Sequence, residues 1–315
     1  MRASQLCLVV LMGFSAIACS TGSSGTGTAP TTPPAPTNNT SLSNLTVSET
    51  FYAANATITG DVGILSTISN ATVTTRGFET TDASTRISYD AAADSFRIEA
   101  SGGPTAISQV FRPQDIDATE SDADFTIYET GDSILVLLNA NAPVLDLSYV
   151  TLATWADADA GGGASLLGYS VFGVETPFAD TPASGSASYS GEVVGGMVES
   201  GRLYNFAGTA SVDADFSAAS VDTTLVILRA LLESSAYAPW NVIESTASIT
   251  SITNGVSGRA TASFVGPATA LSSPSATGEL SGRFFGPNAE EVGGEFSLSE
   301  PGVFDAGGVF VARQP

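Results

Sequence analysis

Histidine and lysine are both absent from the 315 residues, and the only cysteines, Cys7 and Cys19, lie at the N-terminus. Without histidine there is no Ser-His-Asp or Cys-His triad, no HExxH zinc site and no histidine-ligated haem. Carboxylate, tyrosine and hydroxyl chemistry remains open, but it requires groups whose pKa values are pushed apart, and nothing in the residue order shows such a pair. No catalytic residue, metal or cofactor is therefore assigned. All ten basic residues are arginine, against 32 Asp and Glu, for a formal charge of −22. A surface this acidic repels phosphate backbones and anionic headgroups, which removes nucleic acid as a partner. Charged residues make up only 13% of the chain and hydrophobic residues 43%, a composition that builds a core rather than a disordered chain.

The N-terminus carries an export pattern. Arg2 precedes an apolar run over residues 6–18. It has the length of a signal-peptide core and falls short of the roughly 20 residues that span a bilayer. The run ends in Ala16-Ile17-Ala18-Cys19, small residues before a cysteine, which resembles a bacterial lipobox with Ala where Leu is commoner. An ordinary secretory signal followed by a stray cysteine is the competing reading. On the lipobox reading residues 1–18 are a signal peptide and Cys19 becomes the acylated first residue, which leaves no intrachain disulfide and gives a stable lipid anchor. Residues 20–43 are dominated by Gly, Ser, Thr and Pro without an apolar period, so residues 19–43 read as a lipidated cysteine and a flexible tether.

From Asn44 onward the pattern is short alternating segments. "TRISYDAAADSFRIEAS" predicts strands over residues 86–89 and 95–99, and "DFTIYETGDSILVLLNA" predicts strands over 126–128 and 133–138 about the Gly131-Asp132 turn. "FAGTASVDADF" alternates cleanly: Phe206, Gly208, Ala210, Val212, Ala214 and Phe216 share one face, and Thr209, Ser211, Asp213 and Asp215 the other. The small inward residues suit a tight barrel interior. Residues 224–243 fit a helix as well as a strand followed by a loop. The strand is expected, with Pro239-Trp240 in the loop.

"GYSVFGVETPFADTPASGSASYSGEVVGG", "GTASVDADFSAASV", "GRFFGPNAEEVGGEFSL" and "GVFDAGGVFVAR" resemble the β-barrel domain of the transferrin-binding protein B family over residues 149–313. Residues 224–243 depart from the family's usual short segment, and residues 44–147 resemble the family's handle domain only in hairpin style. The resemblance implies an all-β fold: a handle domain of antiparallel strands over residues 44–180, then an eight-stranded antiparallel barrel over 181–315. It further implies a monomeric lipoprotein on the surface of a Gram-negative outer membrane that binds a solute or a protein partner without enzymatic activity. Transferrin receptors of the family carry two handle-plus-barrel units and this chain has one. A structural or cell-interaction lipoprotein with no role in nutrient capture is the alternative.

Glu290 and Glu291, adjacent in "GPNAEEVGG", are expected to be solvated carboxylates of a turn that Pro287-Asn288 opens, with Gly293-Gly294 receiving the chain beyond it. Being adjacent, they cannot face one side of a strand together. Asp213 and Asp215 do share a face, but are expected on a wet barrel exterior rather than around a cation. Asp157 with the residues to Ala160, and Glu120 with Asp122, suggest calcium only faintly and lack EF-hand spacing. Tyr189 and Trp155 are expected in cores. Tyr237 and Trp240, in a polar setting, are the candidate ligand-binding aromatics.

Overall fold

The computed structural model describes residues 38–51, 53–61, 72–76, 85–102, 105–157, 164–232, 234, 236–253 and 260–315. Cys7, Cys19, the tether up to residue 37 and Asp159 lie outside them. Among the described residues no helix is long and apolar enough to cross a membrane.

The fold is nearly all β. A four-stranded sheet has the order β1 (Glu49–Phe51), β4 (Thr85–Asp90), β5 (Ser95–Gly102), β6 (Thr105–Phe111). A six-stranded sheet has the order β3 (Thr72–Arg76), β2 (Ala53–Asp61), β10 (Ala164–Gly173), β9 (Val150–Asp157), β8 (Ser133–Leu138), β7 (Phe125–Thr130). The remaining strands close an eight-stranded barrel: β11 (Ser186–Glu199), β12 (Arg202–Asp215), β13 (Ser220–Leu231), β14 (Ala238–Thr253), β15 (Ala260–Ala270), β16 (Thr277–Phe285), β17 (Glu291–Glu300) and β18 (Phe304–Arg313). Closure is made by β11 pairing with β18, Ser190 opposite Arg313 through Glu199 opposite Phe304, which leaves the barrel no open edge.

Three layers result. The inner faces of the N-terminal sheets bury Phe96, Ile98, Phe111, Leu135, Trp155 and Phe172. Trp155 is a core residue as expected: its Nε1–H donates to the Ser170 hydroxyl at 2.9 Å, and that hydroxyl donates to Asn55 Oδ1 at 2.6 Å. The opposite face of the six-stranded sheet lies on the barrel wall, where Ile58, Val150, Tyr169 and Val171 meet Val194, Leu203, Phe285 and Val309. A sheet covered on both sides needs apolar residues on both, which is why β8, Ser-Ile-Leu-Val-Leu-Leu, is buried almost throughout. The barrel interior is filled by Phe206, Phe264, Phe284, Phe296 and Phe310 beside small residues such as Ala210 and Ala262.

Two boundaries differ from the sequence expectation. The tether ends earlier than residue 43. The Asn39 side chain accepts from the backbone of Thr46 and Val47 and donates to Val47 O and Glu49 Oε2, and Leu42 N donates to Ser148 O, all between 2.8 and 3.0 Å. Residues 39–43 are thereby fastened to the N-terminal unit. In residues 224–243 the strand is found, but Pro239 and Trp240 stand inside β14 rather than in a loop. The register shifts between Ile227 and Leu228, so that Leu228 pairs with Pro239. A proline without a donor fits such an irregularity in a strand.

Candidate functional site

The seam between the N-terminal sheets and the barrel is built around Glu291, and it corrects the reading of Glu291 as a solvated turn residue. Pro287–Ala289 forms a single 3-10 turn, and Glu290 beyond it is exposed. Glu291 is the first residue of β17 and only 4% exposed. Its Oε1 accepts from Ser148 N at 2.6 Å and its Oε2 from Tyr149 N and Val150 N, each at 2.8 Å. One carboxylate thus satisfies the backbone donors that lead into β9. Burial pushes the Glu291 carboxyl above the ordinary carboxylate range, while the three backbone donors and Arg313 pull it back. Gly293 and Gly294 lie within β17 rather than receiving the chain after the turn. A side chain at Gly293 would place its Cβ 2.8 Å from Val171 Cγ2 and 3.1 Å from Val150 Cγ2, so the glycine lets the sheet approach the barrel.

Two ion pairs flank this contact. Arg313 pairs with Asp146 at the exposed end. Arg283, fully buried on the outer face of β16, pairs with Glu175 of the connection between the units and lies 3.4 Å from Thr261 Oγ1. The connection runs along the barrel wall: Thr176 N donates to Phe284 O and Gly286 N to Val174 O, both at 2.9 Å. Gly286, with φ +76°, sits under the Tyr149 ring, which a Cβ would approach to 2.4 Å. A fourth carboxylate at the seam, Glu192 on the outer face of β11, is pushed up to about 7 by burial and by the nearby Asp124.

A carboxyl raised in the folded state stabilises the fold when protonated. For Glu192 that contribution is full below the ordinary value of 4.5 and is lost as pH rises through about 7. Glu192→Gln is accordingly expected to stabilise the protein at pH 8 by about 1–2 kcal/mol, allowing for partial solvent screening, and by much less at pH 5. Thermal melts at the two pH values check it, and an equal gain at both would contradict the assignment.

At the barrel's end, Trp240 is half-buried. It stacks on Phe206 with centroids 4.6 Å apart and meets Phe304 edge-on at 5.4 Å. It closes the barrel core rather than standing free. Tyr237 is also half-buried, its phenol pushed up to about 12 by burial. Exposed apolar side chains occur instead on the adjoining outer wall, where Thr209 pairs with Val226, Val226 with Val242, and Leu271 N donates to Val242 O. Val226 is 43% and Leu271 55% exposed. Asp213, Asp222 and Glu244 are exposed on the outer faces of the same strands. Periodicity places the strand side chains outward, but only strand register sets Val226 opposite Val242 and the Leu271 amide on Val242 O.

The other sequence candidates divide. Tyr189 is buried in the barrel, its hydroxyl donating to Ala289 O at 2.7 Å. Asp213 is exposed and accepts from the Ser188 hydroxyl, and Asp215 caps the next turn through Ala218 N. Asp157 accepts from the Ser133 hydroxyl. Asp122 is not joined to Glu120: it accepts from the backbone of Asp124 and Phe125. Glu120 instead lies with Asp117 and Glu129, carboxylate oxygens within 4.8 Å of one another.

Residues 181–314 match the family of the C-lobe and N-lobe beta barrels of Tf-binding protein B. No curated protein matches the chain. Among solved structures, it is similar to transferrin binding protein B from serogroup B Neisseria meningitidis, with 17% identity and a TM-score of 0.45, over 83% of this chain and 43% of that one. The chain thus spans less than half the length of that protein. The transferrin binding protein B mutant Trp-176-Ala from Haemophilus parasuis Hp5 shares 13% identity at a TM-score of 0.42, over 85% and 76% of the two chains. A structure described as a surface lipoprotein shares 16% identity at a TM-score of 0.38, over 83% and 98%.

Proposed function

We propose that this chain, whose C-terminal domain is a β-barrel of the transferrin-binding protein B type, is an outer-membrane lipoprotein anchored through Cys19 that binds a protein partner at the cell surface. The match of residues 181–314 to barrels described as those of a transferrin-binding protein carries the reading. The placement of the apolar row supports it. Val226, Val242 and Leu271 lie on the barrel wall away from the strands that meet the N-terminal sheets, beside exposed carboxylates. An apolar patch rimmed by charge is the anatomy of a protein interface, and an acidic rim on a chain of net charge −22 selects a partner with a basic rim. Trp240, stacked on Phe206, braces β14, the strand that carries Val242. No catalytic role is assigned.

The test has two arms. Cys19→Ser is expected to move the protein from the membrane fraction to the soluble fraction, and protease applied to intact cells is expected to digest the barrel. Val226→Glu combined with Leu271→Glu is expected to weaken capture of an extracellular protein by the full chain roughly tenfold or more, with its melting temperature little changed. Protection of the barrel until lysis would overturn the surface location. Undiminished capture by the double variant would overturn the docking wall.

A further inference from the structure

The N-terminal unit holds a cavity that the protein-docking reading does not use. It has a volume of about 360 Å³ and lies between the two N-terminal sheets, bordered also by residues 42–45, a size within the range of small-molecule sites. Its aromatic lining comes from both sheets: Tyr89 from β4, Phe96 from β5, Tyr128 from β7 and Phe172 from β10. The rings run together, Tyr89 to Phe96 at 5.2 Å and Phe96 to Phe172 at 6.4 Å between centroids. The lining contains one charged side chain, Asp94, and no arginine.

Asp94 is placed there by local backbone. It ends the β4–β5 turn at φ +48°, a left-handed position that aspartate and asparagine tolerate better than most residues. From this position Oδ1 accepts the Tyr89 hydroxyl at 2.7 Å. The residue is exposed, so the carboxylate stands at the rim with capacity for a second donor. Burial pushes the phenols of Tyr89 and Tyr128 up to about 12, with Asp94 adding to both. Both stay neutral at any physiological pH, leaving one anion beside a set of neutral aromatic rings.

We infer that this cavity binds a small organic cation, an amine or quaternary ammonium group on a compact apolar body, with Asp94 countering the charge and the Tyr89, Tyr128 and Phe96 rings enclosing the body. Ring faces attract cations electrostatically, and partly desolvated pairs are the stronger ones. A carboxylate at the rim adds a charge-assisted contact for an ammonium N–H, or a Coulombic one for a quaternary group. A small anion would meet Asp94 with no compensating base in the lining, and an uncharged apolar body would leave the remaining acceptor capacity of Asp94 unused. The chain's acidic surface raises the local concentration of cations.

Calorimetric titration of the full chain with choline and with phenethylamine tests this, each against its neutral counterpart, 3,3-dimethyl-1-butanol and 2-phenylethanol. At least one cation is expected to bind, with its neutral counterpart weaker by roughly tenfold or more. Asp94→Asn keeps the turn, because asparagine also accepts the left-handed conformation, and is expected to weaken the cation by roughly tenfold or more while leaving the neutral compound unchanged. Tyr128→Ala is expected to weaken both, with circular dichroism confirming the fold of each variant. Equal affinity for cation and neutral counterpart, an Asp94→Asn protein that binds the cation as tightly, or no binding by either cation overturns the inference.

Discussion

Glu291→Ala is expected to lower the unfolding free energy by about 3–5 kcal/mol, one of the largest single-site effects in this protein. The substitution removes the acceptor for Ser148 N, Tyr149 N and Val150 N at once. Val150 is fully buried, so water cannot readily replace the lost partner, and a buried donor left unmade costs far more than an average hydrogen bond contributes. Glu291→Gln is expected to cost less, about 1–2 kcal/mol, because its single carbonyl oxygen retains part of the acceptor capacity while its amide nitrogen faces a donor. Glu290→Ala, at an exposed position, is expected to stay within about 0.5 kcal/mol of the parent. Denaturant unfolding followed by tryptophan fluorescence reads all three, since Trp155 and Trp240 report from the N-terminal sheets and the barrel respectively. Similar midpoints for the Glu290 and Glu291 alanine variants would show that the seam does not depend on this carboxylate.

The second large effect is expected at the other end of the seam. Glu175→Ala leaves the Arg283 guanidinium, fully buried against the barrel wall, without its carboxylate, and breaking a buried pair from one side costs about 3–5 kcal/mol. Replacing both partners by apolar residues of similar length, Glu175→Leu with Arg283→Met, is expected to recover most of that loss, because neither charge of the pair is then left buried without the other. The double-mutant cycle is therefore expected to show strong coupling. A double variant as unstable as Glu175→Ala would mean that the backbone of the connection, rather than the ion pair, is what residues 174–177 contribute.

These two sites hold the N-terminal sheets against the barrel at one orientation, and both lie where the sequence was least legible. The barrel itself was legible. β12 alternates because one face meets a packed interior and the other meets water, and the same rule placed Phe206, Val212 and Phe216 inward. The exposed turn and Asp213 were legible for the same reason: a half-wet strand records its two environments residue by residue. Trp155 and Tyr189 in cores followed from their bulk.

Alternation fails once both faces of a strand are covered. Glu291 and Glu290 are identical residues side by side, and chain order gives no reason to bury one. The six-stranded sheet does, because it sets the donors of residues 148–150 over the outward face of β17. Arg283 presents the same case, an arginine on a barrel exterior that the connection converts into an interior. Trp240 was misplaced into a loop because a proline before it is a turn signal, whereas the shifted register at Ile227 and Leu228 admits that proline into the strand. The cavity at Asp94 draws its residues from strands far apart in the chain, so no local spacing announces it. The sequence by itself determined the alternating strands with one apolar face and excluded histidine chemistry, since composition and a period of two act locally. The tertiary structure alone decided which polar groups lose their water, because desolvation depends on what lies across the seam.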